Sequence, residues 1–280
     1  MARFVLTSNR VKTTFLLAAR VLCVLGAALS ATPLAGAAEA DNTARDKDPS
    51  IDRSLLLPTA ITQPNGSFTV ENYDVVVLGL TYGLTDKLQV GLLLAAIPFG
   101  EGGALVAPSL KWRFLSTPRL NLAAQAFGSF LNQNPAFESD DNRAPNRAQG
   151  SLGSGLIASG CFSPDCRTML SAGVHWQTRF APEKNLTMDL VYGLSLTHAA
   201  TQKIKLVCEA ISAAGYTRRD TDQFGVANGM LFNYGVRAHG RSFAFDLGFV
   251  DPIFFGNPFK PQIRGLPFGV PFVGLSYRTL

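Results

Sequence analysis

Eight basic residues, Lys87, Lys111, Arg113, Arg167, Arg179, Lys205, Arg237 and Arg278, lie in or beside stretches where every second residue is apolar. Three acidic residues, Asp189, Glu209 and Asp246, and one histidine, His175, occupy equivalent places. In an extended chain, alternate side chains point to opposite faces, so this spacing puts the charged groups on one face and the apolar groups on the other. If the charged face lines a water-filled interior, eight positive charges against three negative leave an excess of five that would concentrate anions. A second chemistry fits the same residues: Glu209 and Asp246, on segments flanking that of Arg237, could neutralise it and pack a narrow interior shut. Both readings stand on sequence alone. No catalytic set emerges, because the chain has only three histidines, His175, His198 and His239, each on or at the end of an alternating segment. His239-Gly240-Arg241-Ser242 reads as a turn.

The alternation recurs along most of the chain. Val76, Leu78, Leu80 and Tyr82 oppose Val77, Gly79, Thr81 and Gly83; Leu88, Val90, Leu92 and Leu94 oppose Lys87, Gln89, Gly91 and Leu93. The same reading holds for Leu105 to Phe114, Leu120 to Phe130, Leu170 to Phe180, Leu186 to Thr197, Ile204 to Ala210, Phe232 to Arg237, Phe243 to Phe249 and the final segment ending Phe272 to Leu280. Leu152 to Phe162 is rich in Gly and Ser and is the weakest run. A 3.6-residue period explains none of these runs better. Short links (Leu84 to Asp86, Ser116 to Arg119, Ser163 to Asp165, Ala200 to Lys203, Gly240 to Arg241) take turns with longer ones (Phe99 to Gly103, Asn132 to Gly150, Tyr216 to Asn228, Asp251 to Gly265), with Pro182 to Asn185 the short exception. Strands of this kind, with short turns on one side and long loops on the other, predict an all-β, transmembrane, up-and-down antiparallel barrel. Eleven runs are countable from Ser67 onward. Closure needs an even number, so Ser54 to Thr62, before the turn Gln63-Pro64-Asn65-Gly66, is taken as a first strand, giving twelve.

The N-terminus reads as an export signal over residues 1–37: Arg3, Arg10 and Lys12 precede the apolar Thr13 to Leu29, and Ala35-Gly36-Ala37 supplies a small-residue cleavage site. Arg20 cuts the apolar run below the roughly 20 residues of a spanning helix. The next residues, 38–53, rich in Ala, Asp and Arg, read as a flexible lead, and 54–280 as the barrel. The formal charge of +5 arises largely in the signal, which holds four basic and no acidic residues; the remainder has 21 basic against 20 acidic residues. A near-neutral mature chain gives no basis for a nucleic-acid partner. Of the four cysteines, Cys23 leaves with the signal and Cys161 and Cys166 flank a turn that a disulfide could close in an oxidising compartment; Cys208 is left over. No second Cys or His pair lies at zinc spacing, so no metal or other cofactor is called.

Leu57-Pro58-Thr59-Ala60, Gly66, Asn72-Tyr73 and Tyr82-Gly83-Leu84-Thr85-Asp86-Lys87-Leu88-Gln89-Val90-Gly91 resemble the opening of an uncharacterised family of bacterial outer-membrane β-barrel, porin-like proteins, whose first hairpin ends in a Tyr-Gly-hydrophobic-Thr-Asp turn. The resemblance covers the opening hairpin and extends to the rest in style only; Leu280, rather than an aromatic residue, ends the chain. It implies location in the outer membrane of a Gram-negative bacterium, contact with lipid and the outer-membrane assembly machinery, and no catalytic residues. Passage of small hydrophilic solutes through a mildly basic interior is the expected role. The alternatives are a plugged barrel serving surface binding, adhesion or structure, and a lipid hydrolase. Outer-membrane phospholipases share a twelve-stranded barrel, but their His-x-Ser spacing is absent here. The loop carrying Glu138, Asp140, Asp141, Asn142, Arg143 and Arg147 could grip a cation, fold inward or remain solvated. Outward aromatics near strand ends (Tyr82, Trp112, Phe114, Phe162, Tyr277; Phe130, Phe180, Phe249) fit interfacial girdles.

Overall fold

The computed structural model describes residues 48–74, 76–97, 103–133, 147–163, 165–181, 184–218, 222–254 and 269–279. Residues 1–37, read above as a signal, residues 38–47 of the expected lead, and the cores of the long connections, including Glu138 to Arg143, lie outside the described residues.

Twelve strands follow in chain order: β1 Phe68–Tyr73, β2 Val77–Thr85, β3 Leu88–Ile97, β4 Gly103–Ser116, β5 Leu120–Gln133, β6 Arg147–Cys161, β7 Thr168–Ala181, β8 Lys184–Ala199, β9 Ile204–Arg218, β10 Asp222–His239, β11 Phe243–Phe254 and β12 Val270–Thr279. Each pairs antiparallel with its chain neighbours, and β1 also pairs with β12 (Phe68 opposite Thr279, Tyr73 opposite Gly274), which closes the cylinder. Every strand from β3 onward has 10 to 18 residues. That meets the roughly 9–11 residues a tilted strand needs to cross a bilayer.

The count of twelve holds, but its first member is corrected. Ser54 to Thr62 is not a strand of the barrel. β1 is instead Phe68–Tyr73, ahead of the first alternating run read from Val76, and the chain folds back between them at Asp74, which has a positive φ of 48°. An Asp tolerates this left-handed conformation better than a branched residue would. The segment from Ser54 cannot join the ladder because its backbone groups bond side chains inside the cylinder, and Pro58 has no N–H to donate. The Gly- and Ser-rich run is a full strand, β6.

The outward face is apolar. Leu110 on β4, Leu156 on β6, Val174 on β7, Leu194 on β8, Leu247 on β11 and Leu275 on β12 are exposed, as are Trp112, Phe114, Phe162, Phe243 and Tyr277 near one rim and Phe130 and Phe180 near the other. A contiguous apolar exterior would not persist in water. Between aromatic girdles it is the surface of a bilayer-spanning barrel. The protein is therefore an outer-membrane β-barrel. The rim carrying the short turns also carries both ends of the ladder, Phe68 and Thr279, and is the periplasmic rim.

The interior is filled from the periplasmic side by Asp48 to Ser67. The residues from Asp48 to Gln63 are almost all buried, with Leu56 the exposed exception. Leu55 packs with Val207 and Phe272, and Ala60 with Ala123 and Ile157. The segment rises to a tip at Leu55 to Pro58, where Arg53 and Pro58 form an isolated antiparallel bridge, and returns to the rim. There Gly66, at a φ of 74°, makes the turn that hands the chain to β1, its N–H donating to Gly83 O at 2.8 Å.

Candidate functional site: a plugged lumen

The plug tip has no regular hydrogen-bond ladder, so its amide groups need partners in the wall. Glu209 on β9 supplies them: its carboxylate accepts the N–H groups of Leu55 at 2.6 Å, Leu56 at 3.0 Å and Leu57 at 3.1 Å. Successive amides converging on one anion form a nest, here with the anion contributed by the wall. Asn233 on β10 donates to the same carboxylate at 3.0 Å. Beside it, the Ser54 and Ser195 hydroxyls lie 2.6 Å apart.

Below the tip is an ionic cluster. Arg53 of the plug donates to Glu71 on β1 at 2.9 Å and Asp246 on β11 at 3.0 Å, and its guanidinium lies 4.7 Å from the centre of the Tyr73 ring. Arg237 on β10 donates to Asp246 at 2.6 Å and to the carbonyls of Ser50 at 2.9 Å, Arg53 at 3.2 Å and Ser54. Asp48 pairs with Lys205 on β9 at 2.5 Å and with Arg237 at 3.5 Å, while Arg278 on β12 donates to the Asp48 carbonyl at 3.2 Å. Burial works to raise the Asp48 carboxyl, but Lys205, Arg237 and His239 outweigh it and hold this group well below the ordinary carboxylate range. Burial disfavours charge on Arg53 too, and Glu71, Tyr73 and Asp246 more than restore it.

Across the lumen the contacts are less charged. Lys111 on β4 donates to the carbonyls of Asp52 at 3.0 Å and Thr59 at 3.2 Å. Gln89 on β3 donates to Asp52 at 2.7 Å and accepts the Gln63 N–H at 2.8 Å. The Ala60 N–H donates to Ser159 on β6 at 2.9 Å. Glycines explain why the plug fits here. A Cβ on Gly193 of β8 would sit 2.7 Å from the Leu57 side chain, and one on Gly155 of β6 would sit 2.3 Å from His175 Nδ1. His175 is buried and meets Phe127 edge-on at 5.9 Å between ring centres. The weak alternation of β6 thus marks a wall thinned to admit other groups.

The sequence candidates divide into three sets. Lys111, Lys205, Glu209, Arg237, Asp246 and Arg278 meet the plug. Arg113 donates to the Asp86 carbonyl at the rim, and Lys87 and Arg167 are exposed on periplasmic turns, Arg167 paired with Asp165 at 3.1 Å. Arg179 and Asp189 pair across β7 and β8 at 2.6 Å, nearer the outer rim. The expected positive excess is corrected by residues that the alternation did not single out: Asp48 and Asp52 in the plug and Glu71 on β1. Among the described residues they join Glu209 and Asp246 to set five acidic groups against five basic ones in and around the plug, Arg53, Lys111, Lys205, Arg237 and Arg278. Of the two roles considered for Asp246 and Glu209, Asp246 neutralises Arg237 and Glu209 holds the plug tip instead. Cys161 and Cys166 are disulfide-bonded, and Cys208 is a free thiol. The hydroxyl beside His198 is that of Thr168, 2.9 Å from Nδ1.

No protein-family model matches the sequence, and no curated protein matches it. Solved structures similar in fold include the KdgM porin in complex with disordered oligogalacturonate, at 7% identity over 75% of this chain and 96% of that one, with a TM-score of 0.44. LpxR from Salmonella typhimurium is 10% identical over 76% and 99% of the two chains, with a TM-score of 0.41. The CymD monoaromatic hydrocarbon channel is 10% identical over 76% and 86%, with a TM-score of 0.38. These likenesses concern the barrel fold alone.

Proposed function

We propose that this outer-membrane barrel is a gated passage for small hydrophilic solutes, held closed at rest by its own N-terminal segment and lacking catalytic machinery of its own. The observation that carries the reading is the fastening of the plug to Glu209, Arg237 and Lys205. The basic groups that would draw anions through an open pore are already spent on the plug's carbonyls and carboxylates. Twelve strands lie between the side-chain-filled eight-stranded barrels and the open sixteen-stranded porins, a width that one short segment can block. In this reading the first 37 residues are removed on export.

Planar-bilayer recording tests the proposal. The full-length mature protein should be silent for most of a record, and a variant lacking residues 48–63 should conduct steadily. A deletion variant that folds, judged by heat-modifiable gel migration, yet remains silent would overturn the passage. Steady conductance by the intact protein would overturn the closure.

A further inference from the structure

A cavity of about 50 Å³ lies between the foot of the plug and the wall, inside the periplasmic rim. Asp48 and Arg53 of the plug line it, with Arg167 of the β6–β7 turn, Thr197 on β8, Lys205 on β9 and Arg237 on β10. The lining thus sets four basic side chains against the single carboxylate of Asp48. These cations differ in how firmly they are held. Arg53 and Arg237 share Asp246, at 3.0 and 2.6 Å, and Arg53 also has Glu71 at 2.9 Å. Lys205 has Asp48 as its one carboxylate partner among the described residues, at 2.5 Å. Arg167, 65% exposed at the mouth of the cavity, pairs with Asp165 at 3.1 Å. An ion pair so exposed contributes little, and another anion can replace it at small cost.

The Cys161–Cys166 disulfide closes the turn that carries Arg167 and fixes it beside the opening. Thr197 adds a hydroxyl donor to the same space. Two guanidinium forks and an ammonium converging on one cavity recognise an anion with several oxygens better than an anion with a single centre. The space is several times the roughly 10–15 Å³ that one water needs, and far below the roughly 300–1,000 Å³ of a small-molecule pocket. It suits an ion of a few atoms. Asp48 already holds the cations such an ion would use, 2.5 Å from Lys205 and 3.5 Å from Arg237, so the two compete. We propose that the cavity binds a free tetrahedral oxyanion from the periplasm through Arg167, Lys205 and Arg237, and that this ion displaces the Asp48 carboxylate and loosens the foot of the plug. What the loosening does to passage rests on the gated reading above; the binding does not.

Isothermal titration calorimetry of the detergent-purified full-length protein with inorganic phosphate, near neutral pH and at matched ionic strength, tests the binding. Phosphate should bind once per barrel and about tenfold or more tightly than chloride. Arg167→Gln should weaken it about tenfold, the loss of one charge-assisted contact. Lys203→Gln/Arg241→Gln, at exposed positions on two other periplasmic turns, should leave it unchanged. Asp48→Asn removes the competitor and should strengthen it about tenfold, the opposite of what a merely structural Asp48 would give. Glycerol 3-phosphate should bind about tenfold more weakly, since so small a cavity has no room for the ester. Phosphate should also raise the protease accessibility of the wild-type plug toward that of Asp48→Asn, and add nothing in that variant. Heat-modifiable migration checks each fold, and the exposed Arg167→Gln carries the test should Asp48→Asn fail to fold. Phosphate binding no tighter than chloride, an equal loss from the remote pair, no gain from a folded Asp48→Asn, equal binding of glycerol 3-phosphate, or an accessibility unmoved by phosphate would each overturn the proposal. Neither readout needs current through the barrel, so a silent deletion variant would sink the passage and leave this site standing.

Discussion

Glu209→Ala is the most informative single change, because one carboxylate holds three consecutive amides of the plug tip. The substitution leaves the N–H groups of Leu55, Leu56 and Leu57, and the Asn233 amide, without their acceptor. Hydrogen bonds to a charged acceptor contribute about 1.5–3 kcal/mol each when taken singly, and removing one partner of a buried ionic contact costs about 3–5 kcal/mol. The contacts share one anion and are not additive, so about 3–5 kcal/mol is the fair figure for the loss of plug seating. At a factor of ten for every 1.4 kcal/mol, the ratio of unseated to seated plug should rise between about 100-fold and several thousand-fold. Glu209→Gln keeps one oxygen acceptor without the charge, and should fall between wild type and Glu209→Ala. The assay is the open fraction in single-channel records. The strand ladder does not run through the Glu209 side chain, so heat-modifiable migration should be retained. A folded Glu209→Ala protein with the wild-type open fraction would refute the assignment of Glu209 as the keystone of the plug.

Three further outcomes are expected. Asp48 is ionised in the folded protein to well below its ordinary value of 3.8, so its contribution is complete above that pH and is lost as pH falls further; protease accessibility of the plug should stay flat from pH 7 to 5 and rise only below about 4, and Asp48→Asn should raise it at pH 7. Gly155→Ala drives a Cβ to within 2.3 Å of His175 Nδ1 and 2.6 Å of the Val174 carbonyl, and should lower stability in lipid vesicles by about 1–3 kcal/mol, read from urea midpoints. Alkylation of the unfolded, unreduced mature protein should add one label, at Cys208, and three after reduction; two labels before reduction would mean that Cys23 is retained.

The barrel was legible because a two-residue period survives in strands wetted on one side and greased on the other, as in β4 and β7. The plug was not, because nothing periodic distinguishes it: its partners are single side chains spread over β1, β3, β4, β6, β8, β9, β10, β11 and β12. Pro58 inside the supposed first strand and the close spacing of Asp48, Asp52 and Arg53 were the available signals. Period also passed over β1, because Phe68–Tyr73 has only six residues and the reversal at Asp74 follows it directly. The lumen charges Glu209, Arg237 and Asp246 were found by parity. Their partners could not be, since parity says which way a side chain points and not what comes to meet it. The glycines of β6 made that run read as a weak strand, and Gly155 of β6 and Gly193 of β8 prove to be the space into which His175 and Leu57 fit.

The central claim is that residues 48–63 occupy the lumen, and a cross-link tests it most directly. Ser54 and Ser195 place their hydroxyls 2.6 Å apart, close to the separation of bonded sulfurs, so Ser54→Cys/Ser195→Cys should oxidise spontaneously to an intramolecular disulfide identifiable in the linked peptides by mass spectrometry. The account expects near-complete linkage in the membrane-embedded, folded protein and channel silence that reduction relieves in part. Two free thiols on a folded barrel, both open to a water-soluble maleimide, would contradict it.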